Sequence, residues 1–242
     1  MSHSIILKKG HDIKISGVPD ENNIISVNPE NVAIIPSEFR GVKPKLLVKK
    51  NEKIRIGSPL FFDKTKPDVN WASPASGIVK DIIFGPRRII EKIEIQVDGS
   101  EAIINKKYSM DEIYSLGQNE ILNHILKANL FPLIRQRPFN KVANPKDIPR
   151  DIFISLINTA PLSLDLVPII EKNMDSFQAG INVLSKLSSG DVYISSNKKL
   201  EFENAINQII IGPHPAGNIG IQVHHIKPLK PTEIIWTVNA QH

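Results

Sequence analysis

Short apolar runs separated by turn residues fill the first hundred positions. They fall at 13–15, 32–35, 46–48, 54–56, 60–62, 77–83 and 89–97. Runs this short and closely spaced predict the strands of a sandwich or small barrel. Ile89, Ile93, Ile95 and Val97 alternate in part, as in a strand with one buried face. The pattern changes near Lys106. Ser109 followed by Glu112 predicts a capping box at the start of a short helix that Gly117 ends. Asn119 is placed to cap a second helix carrying Ile121, Leu122, Ile125 and Leu126 on one face. Residues 135–150, with Pro138, Pro145 and Pro149, show no regular period and read as a loop.

Beyond that loop, strand and helix patterns alternate. A continuous apolar strand is predicted over 151–157. Helices are predicted over 165–172 and 175–187, the second opened by Asp175, with Gln178 three residues on, and closed by Gly190. Residues 191–196 read as a strand, 200–207 as a helix, and 208–211 and 233–238 as further strands. His224 and His225 are read as strand neighbours that point to opposite faces. Near-continuous apolar strands joined by helices imply a parallel sheet covered on both faces. The expectation is an all-β domain over 1–105 followed by an α/β domain over 106–242.

Composition narrows the chemistry. Of 242 residues, 41% are hydrophobic and only 6% aromatic, so Ile, Leu and Val must build the core. The absence of cysteine excludes disulfides, iron–sulfur clusters and thiolate zinc sites within this sequence. The net charge of +5 is scattered. The densest basic runs, at 43–53 and at Lys198–Lys199, lack interleaved aromatics, which argues against nucleic acid. A basic face toward an anionic membrane or an acidic partner fits the charge as well. Residues 1–9 are too short and charged for a signal peptide. No apolar run approaches the roughly 20 residues that span a bilayer, so membrane attachment is expected to be peripheral or through a partner.

Three motifs carry candidate chemistry. Residues 42–83, with Gly57 and the Pro74-Ala75-Ser76-Gly77 turn, resemble a biotinyl/lipoyl-type barrel-sandwich domain. Lys64, after Asp63, would be the arm-bearing lysine of a carrier. The long spacing from Lys64 to Gly77 and the lack of Met-Lys-Met favour an unmodified scaffold. In the second motif, Arg135 and Arg137 flank Gln136 ahead of Pro138 and Phe139. Two guanidinium groups there can hold a carboxylate or phosphate, or bind backbone carbonyls or an acidic partner surface. Gly85-Pro86-Arg87-Arg88 is a similar basic turn, read as a solvated hairpin tip.

The third motif runs from Gly212 to Asn218 and includes His214 and Gly217. It follows a predicted strand, where open α/β sheets bind ligands. It is neither a P-loop nor a Gly-x-Gly-x-x-Gly turn, so a dinucleotide fingerprint is absent. His214 has no general-base partner nearby in sequence. No carboxylate cluster joins His214, His224 and His225 to make a metal site, and no Gly-x-Ser-x-Gly elbow occurs. Neither a catalytic residue nor a metal ligand is assigned. The surroundings of His214 are expected to be closed or partly filled.

Taken in order, "KKGHDIKISGVP", "SPASGIV", "GPRRIIEKIEI", "RQRPFNKVANPKDIPRDIFISLINTAPL", "AGINVLSKL", "GPHPAGNIGIQVHHI" and "IIWTVNAQ" resemble the A subunit of the bacterial Na+-translocating NADH:quinone reductases. The resemblance implies a barrel-sandwich domain followed by a Rossmann-like domain distantly similar to the complex I flavoprotein subunit. It implies a subunit with no covalently bound cofactor, peripheral on the cytoplasmic side of the inner membrane. Its expected partners are the other subunits, including the membrane-embedded B subunit. Ubiquinone is the expected ligand of the full-length subunit, and NADH and flavins belong to the partners. Arg135, Arg137, Phe139, His214, Gly217 and Asn218 are the candidate ligand or interface residues. Family members extend past residue 242, so an N-terminal fragment, inactive in isolation, is expected. The alternative is a flavin- or NADH-binding module of an Rnf- or complex I-like complex.

Overall fold

The computed structural model describes residues 4–17, 19 and 25–242. Val18, within the opening block of the resemblance, and residues 1–3 lie outside the described residues. The first strand, β1 (Ser4–Ile6), does not join the β domain that follows it in sequence. It pairs in parallel with a strand some two hundred residues later and extends the large sheet. The expected strand at 13–15 does not form: Ile13 and Ile15 are both more than half exposed and pair with no described strand.

The β domain comprises β2 (Asn31–Ile34), β3 (Pro44–Leu46), β4 (Lys53–Ile54), β5 (Pro59–Asp63), β6 (Lys66–Ala72), β7 (Gly77–Phe84) and β8 (Ile90–Val97). They form a four-stranded sheet, β2-β8-β7-β4, and a three-stranded sheet, β3-β5-β6, all antiparallel. Apolar residues from both sheets share one core: Leu60, Phe61, Val69, Trp71, Val79, Ile93 and Ile95. Trp71 stacks on Phe61 at 4.9 Å between centroids and meets Phe39 edge-on at 5.3 Å. This is the expected barrel-sandwich arrangement. The alternation along β8 is offset by a register shift opposite Phe84, so Ile90 is buried and Ile89 lies outside.

Buried Asp63 shapes the β5–β6 turn. Its carboxylate accepts from the Lys43 and Thr65 amides at 3.2 and 3.0 Å and from the Thr65 hydroxyl at 2.9 Å. Lys64 is thereby left exposed at the tip of a tight turn. The residues that lengthen the Lys64–Gly77 spacing are mostly β6 itself.

The capping box forms as expected at α1 (Met110–Ser115), with the Ser109 hydroxyl accepting from the Glu112 amide. Gly117, not Asn119, caps α2 (Gln118–Lys127), and the Glu120 carboxylate accepts the Gly117 amide at 2.9 Å. The region 135–150 is not wholly loop. It contains the hairpin β9 (Arg135–Arg137) and β10 (Lys141–Val142). Strands of three and two residues are too short to register as a period.

The α/β sheet continues with β11 (Ile152–Ser155), α3 (Val167–Glu171), α4 (Met174–Ser185), β12 (Val192–Ser196), β13 (Ile206–Ile211), α5 (Ile219–Ile226) and β14 (Ile235–Asn239). Its seven strands run β1-β13-β12-β11-β14-β9-β10, parallel from β1 to β14 and antiparallel at β9 and β10. Ile152, Ile154, Ile194 and Trp236 pack with Ile181 of α4 on one face. Phe153, Tyr193 and Ile235 pack with Val223 of α5 on the other. No described helix is long and apolar enough to cross a membrane.

Three helix expectations need correction. Residues 200–207 form no helix. Asn207 accepts from the Leu200 amide and donates to the Ile194 carbonyl, and Asn204 adopts φ 56°, so side chains displace the helical ladder. His224 and His225 lie on α5, not on a strand: Ile219, Val223 and Ile226 make a helical stripe against the sheet. Gly190 does not cap α4, which ends at Ser185. A side chain at Gly190 would strike the Arg150 carbonyl, so close packing explains the glycine.

The N-terminal edge of the sheet is clamped by charge. The Asp151 side chain is fully buried and receives Arg150 Nε at 2.6 Å, Lys227 Nζ at 2.7 Å and the Asp191 amide at 3.1 Å. Arg150 also pairs with Glu233 and donates to the Lys227 carbonyl at 2.8 Å. The start of β11, the end of α5 and the approach to β14 meet here. Burial opposes ionisation of Asp151, yet the hydrogen bonds from Lys227 and Arg150 outweigh it and hold the carboxyl below its ordinary value of 3.8. A depressed carboxyl stabilises the fold above its unfolded pKa and ceases to do so as pH falls through the folded value. Asp151→Asn strands two cations and is expected to cost about 3 kcal/mol at pH 7. Urea unfolding of both proteins at pH 7 and in acid checks this: the gap should narrow below roughly pH 4, and a pH-independent gap would contradict it.

Candidate ligand cleft

Strand order reverses direction beside β11. From β11 the chain passes through α3 and α4 to β12 on one side, while from β13 it passes through α5 to β14 on the other. The crossover connections therefore lie on opposite faces of the sheet, and the switch falls at the paired strands β11 and β14, beyond whose carboxyl ends open α/β sheets take ligands. A cleft of about 610 Å3 lies there, lined by Arg137, Ser155, Asn158, Gly217, Asn218, Gly220 and the chain after β14, Asn239 to Gln241, among others. An apolar pocket of about 320 Å3 adjoins it, formed by Ile154, Ile169, Phe177, Ile181, Leu184 and neighbours. Leu166, Asn239, Ala240 and Gln241 belong to both.

Arg137 owes its position to the strand period. Along β9, Arg135 and Arg137 share one face and Gln136 takes the other. Gln136 is buried and accepts the Asn144 amide at 3.3 Å, which anchors the hairpin. Arg137 reaches the first turn of α5, with Nη1 4.0 Å from where a Cβ on Gly220 would stand. Its Nε is enclosed and has no hydrogen-bond partner among the described residues. Burial pushes both guanidinium groups below the ordinary arginine value. Among the described residues neither pairs with a carboxylate. Arg135 lies instead over the Phe39 ring, 5.3 Å from its centroid.

The opposite wall is the start of α5. The Asn218 side chain makes no capping bond, and its carbonyl accepts from Ile221 and Gln222 at 2.9 and 3.2 Å. The Ile219 and Gly220 amides make no such bond. Helix amides and a guanidinium thus meet with like polarity. The floor is stiff: Gln222, wholly buried, donates to Ser155 Oγ at 2.9 Å and to the Ala216 carbonyl at 3.1 Å.

The six candidate residues separate. Arg137, Gly217 and Asn218 line the cleft. Arg135, outside the lining, turns from β9 toward Phe39 of the β domain. His214 is occupied by packing: Nδ1 lies 3.1 Å from Thr159 Oγ1, its amide donates to Asp12 at 2.7 Å, and its carbonyl accepts from the His11 amide at 2.8 Å. Thr159 Oγ1 also accepts the Gly217 amide at 3.0 Å, which pins the loop behind the cleft. Phe139, at the hairpin turn, is 64% exposed and outside the lining. Among the described residues no group of three or more His, Asp or Glu side chains is arranged to hold a metal ion. Sequence reasoning missed Ser155, Gly220, Gln222, Asn239 and Gln241. Gly220 was detectable as a small residue in the first turn of an Ile219–Val223–Ile226 helical stripe. Asn239 and Gln241 carry no local signal.

Comparison with known proteins bears on both halves. Residues 5–98 match the NqrA N-terminal barrel-sandwich hybrid domain, and residues 116–242 match the NqrA second alpha/beta domain. The A subunit of the Na(+)-translocating NADH-quinone reductase of Yersinia pseudotuberculosis is 33% identical over 242 residues, covering 98% of this chain and 54% of the relative. The protein of the same name from Pseudomonas aeruginosa is 31% identical over 240 residues with the same two coverages. That of Psychromonas ingrahamii is 33% identical over 243 residues. The chain spans about half the length of these curated relatives. With both domains matched in order and the second match alone covering more than half of its residues, the chain belongs to the NqrA family.

Proposed function

We propose that this chain serves as a peripheral subunit, without a bound cofactor of its own, in a Na+-translocating NADH:ubiquinone reductase. It contributes to quinone binding and to assembly with its partners, which include the membrane-embedded B subunit, on the cytoplasmic side of the membrane. NADH and flavins are held by those partners. The observation that carries the quinone reading is the continuity of the polar cleft with the apolar pocket. An isoprenoid quinone has the same division: a ring with two carbonyl acceptors and an apolar chain. Arg137 and the free amides of α5 supply donors for a ring carbonyl, and the pocket between α3, α4 and β14 supplies an apolar wall for the chain. A mostly apolar cavity with a few convergent polar groups is the usual form of a small-molecule site.

Gly180 offers a clean test. It lines the apolar pocket, and a Cβ there would meet nothing within 4 Å. Gly180→Leu should fold, gaining up to about 1 kcal/mol of helix propensity, while filling the pocket. Fluorescence titration with a short-chain ubiquinone should show affinity reduced about tenfold or more, the scale of losing a buried apolar contact. An unchanged affinity in the folded variant would remove the pocket from the quinone site.

A further inference from the structure

We infer that Arg137 forms a subsite for a negatively charged ring oxygen, so that the cleft holds an ionised hydroxyquinone more tightly than a neutral quinone. The inference rests on the quinone reading above and adds the charge of the preferred ligand. Three observations carry it. Arg137 is partly buried, its Nε is enclosed without a partner, and among the described residues no carboxylate lines the cleft to balance it. Uncompensated charge at reduced solvation is costly, and an incoming anion relieves that cost. Next, the group beside the guanidinium is the first turn of α5, whose Ile219 and Gly220 amides are free and whose partial charge is also positive. The remaining polar lining, from Ser155, Asn158, Asn218, Asn239 and Gln241, is neutral.

The second guanidinium of the strand does not share this role. Arg135 lies over the Phe39 ring, and its charge is met there by the aromatic face. Among the described residues Arg137 has no such partner. Its planar fork matches two oxygens held side by side. A 2-hydroxy-1,4-quinone that has lost its hydroxyl proton presents that pair, the ionised oxygen and the adjacent carbonyl. A neutral quinone with an alkyl group at the same ring position presents one carbonyl and no charge.

The test compares 2-hydroxy-1,4-naphthoquinone, an anion at neutral pH, with neutral 2-methyl-1,4-naphthoquinone on the 242-residue chain. Wild type should bind the anion about tenfold more tightly, the scale of one charge-assisted hydrogen bond. Arg137→Gln should abolish that preference, weakening the anion by about tenfold more than the neutral probe. Arg137→Lys, which keeps the charge but not the fork, should retain part of it and decides the matter if the Gln variant loses its thermal transition. Equal affinities in wild type, or an equal loss for both probes in the variants, would overturn the inference and leave the quinone reading standing. Failure of wild type to bind either probe would overturn both.

Discussion

The antiparallel pairing of β9 with β14 is the constraint on which the candidate cleft depends. The parallel strands from β1 to β14 are a self-contained sheet. Adding β9 with Arg137 opposite Ile235 and Arg135 opposite Thr237 places two guanidinium groups on the face covered by α5. Since side chains alternate along a strand, a register shift of one residue would turn Gln136 toward α5 and both arginines away. The burial of Gln136 and its bond to the Asn144 amide oppose that shift. The same strand carries Arg135 to Phe39, which in turn packs on Trp71 in the β-domain core. One short strand thus connects the two cores and aims the cleft.

The two ends of the α/β sheet differ in character. At the amino ends of the strands, Asp151 binds Arg150 and Lys227, and Arg150 reaches Glu233. Charges there are compensated and the backbone is drawn together. Beyond the carboxyl ends lies a cleft whose one cation is uncompensated among the described lining residues. A rigid base beneath an open, electrostatically unfinished rim suits a binding site, because the scaffold absorbs the cost of holding like charges together.

Legibility in the sequence followed the range of the interactions. The Ser109–Glu112 capping box and the apolar strands of the sheet were readable because their signals are local. The barrel-sandwich domain was readable from its turns and short strands. The pairing of β1 with β13 was not, since three residues carry no period and the partner is remote in sequence. Helix α5 resembles a strand in sequence because Ile219, Ile221 and Val223 alternate with Gly220, Gln222 and His224, a period of two that masks the cap signal of Asn218. The missing helix at 200–207 reflects the opposite error, for Asn204 and Asn207 bind backbone that a helix would need. Among site residues, Arg137, Gly217 and Asn218 announced themselves by residue type. Asn239 and Gln241 reach the cleft only through the strand order, which no local pattern encodes.

In the proposed site the ligand ring would sit between Arg137 and the first turn of α5, beyond the carboxyl ends of β11 and β14. A crystal of this chain soaked with a brominated naphthoquinone would locate the ring by the anomalous signal of bromine. A peak within the cleft is expected, with a ring oxygen in hydrogen-bond reach of the Arg137 guanidinium. A peak confined to another cavity, such as the groove between Tyr108, His124 and Leu130, with the Arg137 cleft empty, would contradict it.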